Sequence, residues 1–233
     1  MIPQIEENDM GFTSLWSNAK KMECGVLFLN PLFVDDLFFN KLSNVSCTSE
    51  QMIDESLKYF KQEHLSPCVY SVNYKELENL LERKGFVHHD TLHVLKRNNV
   101  ETRKINTIKI NHDTASLWSG IFCRAYDCLE WEDNVTTTVA NSLHYADYFV
   151  DESKSSCVAL YEKNNILGLY CLGTLPGRRH GGLGSLLVDF ASSEVKSRSL
   201  ECLILETYGR DNLLKFYSKL GFEQVYEKKV YTI

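Results

Sequence analysis

Short apolar runs of strand length alternate along this chain with stretches whose apolar residues recur at helical spacing. The pattern is clearest in the second half. Lys104 to Ile110 alternates as a strand, and His112 to Tyr126 reads as a helix with Asn111 or Asp113 as its candidate cap. Glu132 to His144 reads as a second helix. Tyr148 to Asp151, Ser156 to Glu162 and Ile166 to Leu175 follow as strands, with Asn164-Asn165 as the hairpin turn. An amphipathic helix from about Gly182 to Ser197 leads into an apolar strand, Leu200 to Glu206. A helix beginning near Asp211 then ends at Gly221, which suits the left-handed position past a helix end. Phe222 opens the last strand and plugs the core, and Glu223 to Ile233 completes it.

The first half repeats part of this order. Displacing the chain by 136 residues lays Lys84-Gly85-Phe86 on Leu220-Gly221-Phe222 without a gap. The strand-like Pro67 to Val72 falls on Leu203 to Tyr208, and the helix-like Tyr74 to Arg83 on Arg210 to Lys219. Thr91 to Leu95 falls on Glu227 to Tyr231, and the amphipathic Glu50 to Gln62 falls on the helix after Gly182. Matching element order over some fifty residues predicts two copies of one fold. They divide at a polar joint, Arg97 to Arg103, into residues 1–98 and a complete unit of residues 104–233.

Chemistry concentrates in Thr174-Leu-Pro-Gly-Arg-Arg-His-Gly-Gly-Leu-Gly184, between a strand and a helix. The first N–H groups of a helix lack intrahelical partners and carry partial positive charge, so such a loop binds anions. Gly182 and Gly184 remove side chains that would hold a phosphate off, and Arg178 and Arg179 add cationic donors. No lysine follows Gly184, which excludes a P-loop, and Leu187 stands where a dinucleotide fingerprint needs its third glycine.

What remains is R-x-x-G-x-G, Arg179 to Gly184. It resembles the acyl-CoA pyrophosphate loop of the GNAT superfamily of N-acyltransferases. The later string Phe216-Tyr-Ser-Lys-Leu-Gly-Phe222 resembles that family's last helix and following strand. The resemblance implies an α+β fold, a mixed and mainly antiparallel sheet flanked by helices, whose fourth and fifth strands splay to admit pantetheine. It implies acetyl-CoA as cosubstrate and direct acyl transfer to the amine of a small molecule or peptide. Thr174, Leu175, Arg178, Arg179, His180, Gly181, Gly182, Leu183, Gly184 and Ser185 would hold the cofactor, with Leu175 pairing its backbone with pantetheine and Asn212 as a further contact. Tyr217 would be the general acid for the departing thiolate. The family's usual glutamate on the fourth strand has no counterpart in Tyr170 to Leu175. Glu206 is the nearest alternative base, and a strand-end carboxylate in a surface ion pair is an equal reading of it.

The first copy lacks this chemistry. No glycine occurs between Gly25 and Gly85, bulky residues from Leu37 to Thr48 lie opposite the loop, and Leu81 lies opposite Tyr217. Residues 1–98 therefore read as a degenerate, non-catalytic half that packs on the second or shapes its acceptor groove. Glu130-Trp-Glu-Asp133 reads as a solvated loop with a helix cap, and alternatively as a holder of a cationic amine. A non-catalytic acyl-CoA-binding module remains the second reading of the whole chain.

Composition adds exclusions. A net charge of −6 argues against a nucleic-acid binder and suits a cationic amine. Met1 to Asp9 has no secretory character and no apolar run reaches membrane-spanning length, so a cytoplasmic protein is expected. Eight scattered cysteines without C-x-x-C spacing read as reduced thiols, and His88 and His89 as strand residues without metal-ligand spacing. No metal is expected, and the oligomeric state is not legible.

Overall fold

The computed structural model describes residues 1–34, 36–98 and 106–233. In chain order the first part comprises α1 (Ile2–Trp16), β1 (Asn18–Lys21), β2 (Val26–Leu29), β3 (Lys41–Ser43), α2 (Glu50–Gln62), β4 (Cys68–Ser71), α3 (Lys75–Arg83) and β5 (Val87–Arg97). The second comprises β6 (Thr107–Lys109), α4 (Ala115–Tyr126), α5 (Glu132–Ser142), β7 (Asp147–Asp151), β8 (Ser156–Lys163), β9 (Ile166–Thr174), α6 (Leu183–Ser197), β10 (Cys202–Tyr208), α7 (Leu214–Lys219) and β11 (Glu223–Thr232). Local chemistry sets several boundaries. Asn111 rather than Asp113 caps the turn into α4, exchanging hydrogen bonds with Thr114. Asn164 and Asn165 both take positive φ, 54° and 63°, as the tight turn between β8 and β9 requires. Gly221, at φ 81°, ends α7 and turns Phe222 into the core.

The strands form one sheet in the order β1-β2-β3-β4-β11-β5-β10-β9-β8-β7-β6. Only β3·β4 and β9·β10 are parallel, and the other neighbours are antiparallel. The mixed, mainly antiparallel α+β class expected from the sequence is present. Alternation along β4, β5 and β10 assigns the two faces. Val69, Leu95, Leu203 and Leu205 pack toward α2, α3, α6 and α7, while Tyr70, Val94, Cys202 and Ile204 face the side covered by α1, α4 and α5.

The expectation of a complete second unit from Lys104 needs correction. β5 lies between β10 and β11, so the last strand of each part pairs with the other part. The registers are related by the 136-residue displacement. Ser71 pairs with Lys229, and their counterparts Thr207 and His93 also pair. Leu92 and Lys228, themselves counterparts, face each other at the centre of β5·β11. Arg97 is likewise no free linker residue. It ends β5, is buried, and donates from both terminal guanidinium nitrogens to Asp189 of α6 at 3.1 Å. The rest of the expected joint, residues 99–103, lies outside the described residues, as does the start of the expected strand at 104 and 105.

Two further features escaped the sequence. α1 buries Ile5, Phe12 and Trp16, but it also buries Glu6, Asn8, Asp9 and Thr13, which conceals its apolar period. Those polar groups are paired. Lys41 from β3 lies 3.1 Å from the Asp9 carboxylate and Lys228 from β11 lies 2.9 Å from it. Glu6 and Glu206 each lie 2.8 Å from Lys228. Burial opposes ionisation of Asp9, but Lys228 and Lys41 outweigh it and hold its pKa at about 2. The second feature is a disulfide. Cys24 and Cys47 are bonded, which corrects the expectation of eight reduced thiols; the other six are free and all but Cys171 are buried.

Because β10 and β11 have no direct ladder, residues 104–233 expressed alone leave two long strand edges open. That fragment should be insoluble or lack sharp amide dispersion by NMR, and co-expression with residues 1–103 should restore a cooperative thermal transition. A stable, folded fragment would refute the interleaving.

Candidate functional site

A split in the sheet defines the site. β9 and β10 pair only at Ile166–Cys202, Leu167–Leu203 and Gly168–Ile204. Beyond these residues β9 continues to Thr174 and β10 to Tyr208 without a ladder between them. A bulge re-aims β9 within the split: Cys171 has φ 53° and the register with β8 slips between Cys157 and Ala159. The facing edges therefore carry backbone groups that a pantetheine-like chain can use.

The loop from Thr174 to Gly184 closes one end of this gap. His180 and Gly182, at φ 64° and 82°, turn the chain into α6. Gly182 is the cap residue and supplies no side-chain acceptor, so the N–H groups of Leu183, Gly184 and Ser185 face outward without a cap. A methyl group at Gly182 would meet nothing within 4 Å, and at Gly184 only Phe216, at 4.0 Å. Gly184 has no positive φ, so nothing in the protein demands glycine there. Its effect is to leave open space above the helix start. The corresponding helix α2 is closed by its own Ser49, whose hydroxyl accepts from the Met52 N–H.

Two expected cofactor contacts are committed elsewhere. The Leu175 N–H donates to Ser155 at 2.9 Å and its carbonyl accepts from Arg178 at 2.8 Å, so its backbone is spent inside the loop rather than free for pantetheine. Arg179 turns back: it donates to Ala125 at 2.7 Å and to Thr174 at 3.3 Å, capping the C-terminal end of α4. It fixes the loop. Arg178 and His180 are exposed, and Arg178 has no ion-pair partner among the described residues. The Thr174 hydroxyl shares a 2.8 Å hydrogen bond with Ser156. Gly181 and Ser185 lie in the loop and first turn as expected. Asn212 occupies an exposed left-handed turn, φ 58°, two residues before α7, a conformation asparagine tolerates well.

Tyr217 sits on α7 with its ring packed edge-on against Phe222 at 5.6 Å and Phe216 at 5.0 Å. Its hydroxyl has no hydrogen-bond partner among the described residues. Burial, then Asp211, pushes its pKa up to about 12, so it keeps its proton at neutral pH. Across the gap, Tyr126 covers Gly173, where a methyl group would come within 3.3 Å of its ring and 2.9 Å of Ala125.

Glu206 is not a surface carboxylate. It stands two residues past Ile204, the last residue of β10 paired with β9, its side chain is 4 % exposed, and it lies against Lys228. Burial, then the Asp9 charge, raises its pKa to about 7 against the pull of Lys228 and Lys41. In Glu130 to Asp133, Trp131 packs on Phe33 at 5.3 Å, and α5 has no side-chain cap, so the expected cap is absent. His88 and His89 are strand residues of β5. Among the described residues no group of His, Cys, Asp and Glu could hold a metal ion, and no helix is long and apolar enough to cross a membrane.

The residues sequence reasoning missed lie in the first part of the chain. Residues 36–40 lie beside the gap, with Phe38 6.4 Å from Tyr170 of β9 and the Leu37 carbonyl accepting from Tyr70 at 3.3 Å. Only their distance from any motif hid them.

No protein-family model and no curated protein matches the sequence. Solved structures do. A GCN5-related N-acetyltransferase from Kribbella flavida superposes with a TM-score of 0.72 at 13 % identity, over 98 % of this chain and 93 % of that one. One from Sphaerobacter thermophilus gives 0.68 at 11 %, over 100 % and 90 %. A tandem GNAT protein from the clavulanic acid biosynthesis pathway gives 0.63 at 7 %, over 97 % and 94 %. At such identities the likeness speaks for architecture, and the chain has the GNAT fold.

Proposed function

We propose that this protein is an acyl-CoA-dependent N-acyltransferase, with acetyl-CoA as donor, that acylates an amine by direct attack in a ternary complex. One observation carries the reading: uncapped, glycine-lined N–H groups at the start of α6 open onto a split strand pair. Only Phe216, at 4.0 Å, would meet a side chain at Gly184, which leaves the amides open to a diphosphate, and the exposed Arg178 is near in sequence to add a cationic donor. Gly181, Gly182, Leu183, Gly184 and Ser185 hold the diphosphate chiefly through backbone groups, with His180 and Asn212 beside it. Thr174 and Arg179 shape the loop. Pantetheine lies along the unpaired edge of β9.

The acyl-CoA brings the thioester. Glu206, directly or through one water, takes a proton from the acceptor's ammonium, and the freed nitrogen attacks the thioester carbon. The nitrogen, cationic after attack, gives up its second proton to solvent as the carbon–sulfur bond breaks, and Tyr217 gives its proton to the departing thiolate and regains one from solvent. The first titration suits its role, since a base with a pKa of about 7 is poised near neutrality, and burial pushes the Tyr217 phenol up to about 12, so its proton is in place when the thiolate develops.

Residues 104–233 carry this machinery, and residues 1–98 are a non-catalytic counterpart. Ser49 occupying the cap of α2, Leu81 in the place of Tyr217 and the absence of glycine between Gly25 and Gly85 support that division. The six free cysteines favour a cytoplasmic setting, and the Cys24–Cys47 bond weighs against it. A second reading, an acyl-CoA-binding module without turnover, draws support from Glu206 being locked to Lys228 and from the absence of a carboxylate in residues 170–174. Thiol release from acetyl-CoA with a broad amine panel separates the two.

Gly184→Trp places bulk in open space without backbone strain, unlike Gly182→Trp. It should weaken acyl-CoA binding by calorimetry at least about tenfold, ~1.4 kcal/mol, with an unchanged melting temperature; unchanged affinity would remove the diphosphate from this loop. Tyr217→Phe should leave acyl-CoA affinity intact and lower kcat about a hundredfold, and full activity at every pH would exclude it as the acid. Glu206 has a raised pKa, so it is ionised only above about 7 and turnover should fall as pH drops through that value. Glu206→Gln should abolish this limb of the kcat profile; a limb that persists belongs to another group.

A further inference from the structure

Asp36 is a carboxylate that nothing in the mechanism above uses. It belongs to residues 36–40, which with Phe33 are fixed on several sides. The Asn40 amide donates to the Phe33 carbonyl at 2.7 Å and to the Asp36 carbonyl at 3.1 Å. Trp16 stacks on Phe39 at 4.8 Å, and Ser17 donates to the Phe39 carbonyl at 2.7 Å. Within this frame Asp36 Oδ1 accepts the Phe38 and Phe39 N–H groups at 2.7 and 3.1 Å. Oδ2 has no hydrogen-bond or ion-pair partner among the described residues, and the side chain is half-buried rather than sealed.

Its neighbours locate it at the acceptor end of the gap. Leu37 and Tyr208 of β10 pack on one cluster, and the Tyr70 hydroxyl joins them, donating to the Leu37 carbonyl at 3.3 Å and lying 2.6 Å from the Tyr208 hydroxyl. Phe38 reaches toward Tyr170 of β9, and Phe33 toward Trp131 at the α4–α5 corner. Titrations agree with this placement. Burial and then Asp36 push the Tyr208 hydroxyl's pKa up, and burial, Cys157 and then Asp36 push the Cys171 thiol up. The two cations nearest Asp36 are engaged elsewhere: Lys41 with Asp9, and Arg210 with Asp90 at 3.6 Å. A second unpaired acceptor lies on the same strand face. Glu206, two residues before Tyr208, has a side chain only 4 % exposed and its Oε2 has no hydrogen-bond partner among the described residues. Large apolar side chains adjoin the Phe33–Trp131 contact in sequence: Leu32 before Phe33 and Leu129 before Trp131 are each 53 % exposed.

We propose that Asp36, supplied by the first part of the chain, binds the acceptor: its free oxygen holds the ammonium of a primary amine carried on an apolar body. This rests on the acyltransferase reading and adds the acceptor class to it. A carboxylate pre-oriented by two backbone donors makes a strong charge-assisted hydrogen bond to an ammonium. The net charge of −6 draws cations to the surface. The ammonium then lies on the same face as Glu206, which takes its proton.

The test is calorimetric titration of 2-phenylethylamine, and of 2-phenylethanol as its uncharged analogue, into the full chain saturated with CoA. The amine should bind the wild type at least tenfold more tightly than the alcohol. Asp36→Asn, which keeps an oxygen for both backbone donors, should weaken the amine at least tenfold, leave CoA affinity within twofold and leave the alcohol unaffected. Asp36→Glu should recover part of the loss. Equal binding of amine and alcohol by the wild type, no amine binding to the CoA-loaded protein, or an Asp36→Asn variant that binds the amine as well as the wild type would each overturn the assignment. Failure of CoA itself to bind would instead bring down the acyltransferase reading on which the assignment stands.

Discussion

Lys228 is the group on which the two parts of this protein depend. It occupies the centre of the β5·β11 pairing, buried, and contacts Glu6 and Asp9 of α1 and Glu206 of β10. Two of its partners come from the first helix and one from the strand that borders the gap. Removing one member of such a cluster would leave charges unpaired in a dry interior, which typically costs about 3–5 kcal/mol. The cluster therefore fixes how α1 lies across the sheet, and α1 in turn fixes β9: Asn8 donates to the Ile166 carbonyl at 3.2 Å and accepts from the Tyr170 hydroxyl at 2.7 Å.

The pairing around Lys228 is symmetric under the 136-residue displacement, yet its chemistry is not. Leu92 faces Lys228 where exact repetition would put like residues opposite each other. The parallel pair β3·β4 shares one register position, Leu42–Val69, so the first part has a split of its own. That split is filled. Lys41 stacks over Phe38 and Tyr70, at 4.0 and 4.8 Å from the ring centres, and reaches Asp9. The first part thus has an anchor where the second part has its gap, and Phe38, shortly before β3, lies 6.4 Å from Tyr170 beside that second gap.

The sequence disclosed what depends on local pattern. The loop and α6, the Gly221–Phe222 turn, the asparagine hairpin at 164–165 and the repeat offset all rest on residue type at fixed spacing, and the structure has each of them. Long-range pairing was not legible. Nothing within Val87–Arg97 distinguishes a strand that pairs with its own half from one that inserts between β10 and β11, because both present the same alternation. α1 was hidden because Glu6, Asn8, Asp9 and Thr13 occupy buried positions where a periodicity argument expects apolar residues. Arg179 was assigned by its motif, but its partner, the Ala125 carbonyl, lies fifty-four residues away and carries no side-chain signature. Cys24 and Cys47 are twenty-three residues apart without motif spacing, so only geometry pairs them.

The placement of Glu206 follows from the same arithmetic of charge. Glu6, Asp9 and Glu206 face two lysines, Lys41 and Lys228. Asp9 touches both lysines and is held ionised. Glu206 touches only Lys228, which it shares with Asp9 and Glu6, and burial with the Asp9 charge lifts its pKa to about 7. A carboxylate at that value exchanges a proton near neutrality at little free-energy cost in either direction, which a fully compensated ion pair could not do. Burial first, and then the surplus negative charge of the cluster that joins the two parts, is thus the physical origin of the raised Glu206 pKa at the edge of the gap, and the contacts that hold the sheet together are the ones that set it.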